Sequence, residues 1–366
     1  MFRLSFGPWI AGLNRRHRHC SDERRLVGAI LKPSLACALM LITSVAHAQL
    51  DRVYPESGNP VSGKITEITK DGVTVESSSK KQTLSIDEIQ KIMFDGDPPE
   101  LTKGREFALD GQWEQALDEL KRLNFSSINR DAVKAEAMFF LARSEAQLAL
   151  VGRADTTEAV KKLRAFATAY PDSYHFFRSA KLLGDLAISL GSYDQASKFY
   201  GALAMSASPD MKIESEYLTS LAKLRQGKAA EAEAGFRKVL GASVQSTFGA
   251  RIKTLANAGL AVALSLQGKG TEGLAIVDKL IVELNPADSE MGARIYNAQG
   301  ASLEAMDDTL GAVMAYLHTH LMFSGQADAH AEALSKLIQL WPKLGKPERA
   351  AEARDELQQR YPGWGK

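Results

Sequence analysis

The stretch Leu182–Leu203, LLGDLAISLGSYDQASKFYGAL, decides the fold. Its apolar residues recur every three or four positions on each side of Gly191, the spacing of one buried stripe on each of two helices. Gly191 stands where the chain must reverse, and glycine enters the left-handed conformation without a Cβ clash. Gly184 and Ala196 are small and fall where the two helices must approach closely. The stretch therefore reads as a helical hairpin.

Similar hairpins recur on both sides of it. Helix pairs are predicted at 100–110 with 112–124, 131–150 with 155–169, 174–190 with 192–206 and 210–226 with 228–240. They continue at 247–267 with 270–284, 289–306 with 308–323, and 327–344 with 347–360. The turn residues Gly111, Gly152, Gly191, Gly227, Gly268, Asp307 and Gly345 are 41, 39, 36, 41, 39 and 38 positions apart. A period that regular marks an array of repeats. The residues entering the second helix are also alike: GQWEQA (111–116), GSYDQA (191–196), GKAAEA (227–232) and GKPERA (345–350).

Upstream of the array the pattern changes to strands. Alternation predicts strands over 61–69, 73–76, 82–86 and 89–94, with a hairpin at Asp71-Gly72, where both turn positions favour positive φ. The spacing resembles that of SH3-like or Sm-like small barrels, which implies a bent module that either caps the array or binds separately. Asp97-Pro98-Pro99 makes a stiff joint to the helices. Residues 49–60, QLDRVYPESGNP, read as a flexible lead-in.

The first 48 residues read as an export signal. Arg15, Arg16, Arg18, Arg24, Arg25 and Lys32 form a basic segment, Ser34–Val45 an apolar run, and Ala46-His47-Ala48 a cleavage site before Gln49. An uncleaved anchor is the competing reading. Cys20 and Cys37 both fall in this segment, so the mature chain would have no thiol chemistry, which suits an oxidising periplasm. The domain plan is a signal peptide over 1–48, the lead-in over 49–60, a β module over 61–97 and an α-solenoid over 98–366, with no membrane span after cleavage.

Net charge for the 366 residues is +1, but residues 1–48 carry seven Lys/Arg and two Asp/Glu, which leaves 38 and 42 in the rest. That mild acidity argues against nucleic acid as a partner. His318 and His320, two apart on one helix, diverge and cannot share an ion as i, i+4 pairs do. The reading is no metal, no cofactor and no catalytic set. GxSxG, HExxH and GxGxxG are absent, and Gly268-Lys269-Gly270-Thr271 lies on a repeat turn without the upstream glycine of a phosphate loop. Asp307-Asp308 read as capping residues.

The hairpins resemble tetratricopeptide repeats, whose units run to about 34 residues. The resemblance rests on Leu183, Gly184, Ala187, Ala196, Tyr200 and Leu203 in one unit. In a second unit it rests on Ala293, Tyr296, Gly300, Leu303, Ala312 and Tyr316. It implies a mostly α fold, a right-handed α-solenoid of about seven hairpins. It further implies that first helices line a concave face, with Arg178, Lys181, Asp185, Arg294, Asn297 and Glu304 beside their core positions as partner-binding residues. Tyr170-Pro171-Asp172-Ser173 and the export signal together resemble tetratricopeptide proteins of the bacterial envelope. The expected function is a periplasmic, non-catalytic scaffold for a protein or peptide partner. The alternatives are an envelope-assembly or secretion subunit docking through the β module, and a cell-wall enzyme.

Overall fold

The computed structural model of the chain describes residues 50–78, 80–362 and 364. The expected export signal and both cysteines lie outside the described residues.

Five strands come first: β1 (Asp51–Pro55), β2 (Val61–Thr69), β3 (Gly72–Ser77), β4 (Lys80–Ser85) and β5 (Ile89–Met93), with a 3-10 turn over Ile86–Glu88. They form one antiparallel sheet in the order β4-β3-β2-β1-β5. The lead-in expected over 49–60 is thus partly a strand. Val53 pairs with Val61 on one side and Ile92 on the other. The buried Asp51 carboxylate accepts from the Ile65 and Asp95 backbone N–H groups and from Arg130 Nη1 and Nη2, the last two at 2.6 and 2.7 Å. The hairpin also differs from expectation by one residue. Lys70 and Asp71 make the turn, Gly72 opens β3, and none of the three has positive φ. Gly72 is needed for space, because a Cβ there would run into the Leu84 carbonyl.

Among the described residues, fourteen α-helices follow as seven hairpins. They are α1 (Pro99–Leu109) with α2 (Trp113–Leu120), α3 (Asp131–Leu150) with α4 (Thr156–Ala169), and α5 (Phe176–Ser189) with α6 (Tyr193–Gly201). Next come α7 (Pro209–Arg225) with α8 (Ala229–Gly241), and α9 (Thr247–Ser265) with α10 (Gly270–Glu283). The last are α11 (Ser289–Glu304) with α12 (Thr309–Met322), and α13 (Ala327–Leu340) with α14 (Pro347–Arg360). All seven expected turn residues have positive φ, from 62° to 78°. Asp307 takes the turn without being glycine, as its short polar side chain allows. Asp308 then caps α12, accepting the Gly311 N–H at 2.9 Å. Within the third hairpin Gly184 lies against the Tyr200 ring, leaving no room for a Cβ.

The sheet and the first helices share one core. Val53, Val75 and Ile92 belong to the same buried cluster as Phe139, Phe140 and Phe166. The joint also holds a buried polar network. Arg105, fully buried, donates from Nε to Glu136 at 3.0 Å and from Nη2 to Asp97 at 2.8 Å. Tyr174 and His175 each reach Glu136 at 2.9 Å. Farther along, the Asp71 carboxylate accepts from Ser206 Oγ and the Ala207 N–H, and Lys70 sits 4.6 Å over the Phe176 ring. The β2–β3 turn therefore lies against Phe176 on α5. Sheet and helices, over the described residues, belong to a single compact unit.

Candidate functional site

The repeats coil until the second hairpin meets the end of the seventh. Leu150 and Gly152, at the second hairpin turn, line the same cavity as Arg360, Tyr361 and Trp364 at the end of the seventh. Gly152 admits this approach, since a Cβ there would strike the Arg360 carbonyl. The cavity measures about 330 Å³.

First helices supply most of its charge, with Arg360 added from α14. Lys181 and Asp185 come from α5, Glu290 and Arg294 from α11, and Asp328 from α13. They recur there because each first helix presents the same register inward. Every charge has a partner. Lys181 lies 3.5 Å from Asp185, which also accepts the Tyr200 hydroxyl at 2.8 Å. Asp185 holds Lys181 cationic well above the usual lysine range. Arg294 lies 2.6 Å from Asp328. Burial works against the Arg294 charge, but Asp328, Tyr217, Glu290 and Glu332 together outweigh it and keep the guanidinium protonated; burial likewise raises Asp328, and Arg294 with Arg225 brings it below the ordinary carboxylate range. Glu290 accepts from Arg251 at 2.8 Å. Two donors are left over: Arg294 Nε and Nη1 are buried with no hydrogen-bond partner.

Of the six residues expected to bind a partner, Lys181, Asp185 and Arg294 line this cavity. The other three are engaged elsewhere. Arg178 donates to the Ile89 carbonyl at 2.6 Å and so ties α5 to β5. Asn297 is only 2% exposed and donates to the Ala329 carbonyl and Glu332. Glu304 pairs with Lys336 at 3.0 Å. They serve the contact with the neighbouring elements, not an open wall. The sequence reading missed Tyr361 and Trp364 as cavity residues, because nothing local says that a C-terminal segment folds back. Trp364 packs against two core clusters and lies 5.2 Å from the Arg225 guanidinium.

The lining contains no histidine or cysteine among the described residues, and the Ser189 hydroxyl is committed to the Leu186 carbonyl at 2.8 Å. The histidines lie elsewhere. His318 stacks on Tyr296 with ring centroids 4.5 Å apart, while His320 and His330 meet between α12 and α13. No described helix is long and apolar enough to cross a membrane.

The fold is that of tetratricopeptide repeat proteins. A tetratricopeptide repeat protein from Parabacteroides merdae ATCC 43184, known from a crystal structure at 2.39 Å, superposes with a TM-score of 0.51. The match covers 73% of this chain and 93% of that one at 17% identity, so the likeness is one of fold. No protein-family model matches the chain, and no curated protein does.

Proposed function

We propose that the protein is a non-catalytic scaffold of the bacterial periplasm that holds an extended polypeptide segment against the inner wall of its helical array. One observation carries the reading: the chain's own Tyr361, Pro362 and Trp364 already line that cavity, the indole beside Arg225 and against the core. Trp364 N–H donates to the Tyr361 carbonyl at 2.9 Å, so the occupant is an aromatic-bearing turn, and a surface that accommodates it has the chemistry to accommodate another aromatic-bearing segment. The unused Arg294 donors suit a peptide carbonyl or carboxylate. The balanced charge of the lining favours a polypeptide over a polyanion. Stacked repeats hold the wall in place before binding, which lowers the ordering cost. Export rests on the sequence of residues 1–48.

A peptide array drawn from exported proteins tests this. Bound peptides are expected to be aromatic-bearing, to compete with a synthetic peptide of residues 361–366, and to be lost from Arg294→Ala. Binding that ignores both the competitor and the substitution would overturn it. A second reading, docking through the sheet, has the open edge of β4 in its favour. Lys80 and Lys81 on that edge oppose it, because charged edges discourage strand addition.

A further inference from the structure

Away from the inner cavity, three helices bring two imidazoles and a carboxylate together. His320 comes from α12, His330 from α13 and Glu356 from α14. His320 Nδ1 is 2.9 Å from His330 Nε2. Glu356 Oε1 is 3.7 Å from His330 Nε2, and Oε2 is 3.9 Å from His320 Nε2. The two rings are parallel within 4°. Positions 320, 330 and 356 share no helical spacing, so the grouping arises only from packing.

From this geometry we propose that His320, His330 and Glu356 form a binding site for a divalent transition-metal cation of the zinc class. Zinc bonds of about 2.0–2.2 Å to nitrogen and oxygen set tetrahedral ligand–ligand edges of about 3.3–3.5 Å. The present edges, 2.9 and 3.7 Å, lie on either side of that value. The three ligand atoms all lie within 4.8 Å of one another, so small side-chain rotations close the triangle around an ion. Two imidazoles and one carboxylate suit zinc better than calcium or magnesium, which take oxygen ligands.

The surroundings are those of a ligand set. His330 is fully buried, and its other nitrogen, Nδ1, lies 2.9 Å from the Tyr361 hydroxyl. With Nδ1–H donated to Tyr361, the Nε2 lone pair is turned toward His320 and Glu356. An outer partner that fixes the tautomer in this way is characteristic of metal-bound histidine. Arg360 donates to Glu356 at 3.0 Å, which holds the carboxylate in place. A cavity of about 410 Å³ opens onto His320 and Glu356, giving the ion an entry path and a water its fourth position.

The test is calorimetric titration of the untagged, chelator-treated full chain with zinc, with cobalt absorption as a second readout of tetrahedral ligation. The expected result is one saturable equivalent that His320→Ala and Glu356→Gln each remove, while His318→Ala keeps it. Comparing variants of the same chain cancels histidines and cysteines elsewhere. Tyr361→Phe is expected to weaken binding by about 10–100-fold, the usual effect of losing an outer-shell partner. Glu356 is partly exposed, so Glu356→Gln is expected to leave the melting curve nearly unchanged and report ligation rather than folding. Zinc binding equal in wild type, His320→Ala and Glu356→Gln, or absent from wild type, would overturn the proposal.

Discussion

Replacing Arg105 by methionine keeps most of the side chain's bulk and removes its charge. Arg105 is fully buried, and its partners Glu136 and Asp97 are 1% and 4% exposed. The substitution leaves two carboxylates in the joint between sheet and helices with their shared cation gone. Removing one partner of a buried ion pair costs about 3–5 kcal/mol. That is a large share of a typical stability of about 5–15 kcal/mol. Arg349→Ala is the control: its pair with Glu352 is 61% and 65% exposed, and such pairs contribute below about 1 kcal/mol. Urea unfolding followed by circular dichroism measures both. Hydrogen exchange should show the loss concentrated in β5, α1 and α3. Adding Glu136→Gln to Arg105→Met should recover part of the stability, because one uncompensated charge is then gone. A cost below about 1 kcal/mol for Arg105→Met would refute the view that this network joins sheet to helices.

Acid should destabilise the same joint. Burial pushes the His175 pKa down to about 4, with Glu136 opposing the shift and Arg178 and Arg143 adding to it. An unfolded histidine protonates near pH ~6.5, so the unfolded state binds the extra proton as pH falls from about 6.5 to 4. Stability from this group is complete above that window and falls within it by up to about 1.4 kcal/mol per pH unit; His175→Gln should flatten that slope in pH-dependent melts. Gly191→Val should cost about 1–3 kcal/mol in a thermal melt, because valine resists a φ of 66°. Gly184→Ala should cost a similar amount, about 1–3 kcal/mol, by driving a Cβ into Tyr200. Arg178→Ala should cost about 1.5–3 kcal/mol by freeing Ile89 from its charged donor. Lys181→Ala should cost below about 1 kcal/mol, since Asp185 keeps Tyr200.

What was legible in the sequence was what depends on near neighbours. Helix periodicity and the seven turn residues are local properties, and the structure places a left-handed residue at each of them. β1 was hidden because DRVYP carries two charges and a proline. Its strand state is imposed by β2, by β5 and by Arg130, 79 residues away. Lys181, Asp185 and Arg294 could be found because first helices repeat one register. Arg178 and Asn297 carry the same local signal, yet the sheet and α13 consume them. No spacing rule joins His320, His330 and Glu356, and none brings Trp364 to the inner wall.

Site-specific photocrosslinking in living cells tests the central claim most directly. The photoreactive residue is placed at Leu221 in the cavity, at Val282, which is 86% exposed on α10, or at Lys80 on the β4 edge. The account expects a discrete polypeptide adduct from position 221 that Arg294→Ala abolishes, with none from 282 or 80. Adducts from position 80 alone, or a cavity adduct indifferent to Arg294→Ala, would contradict it.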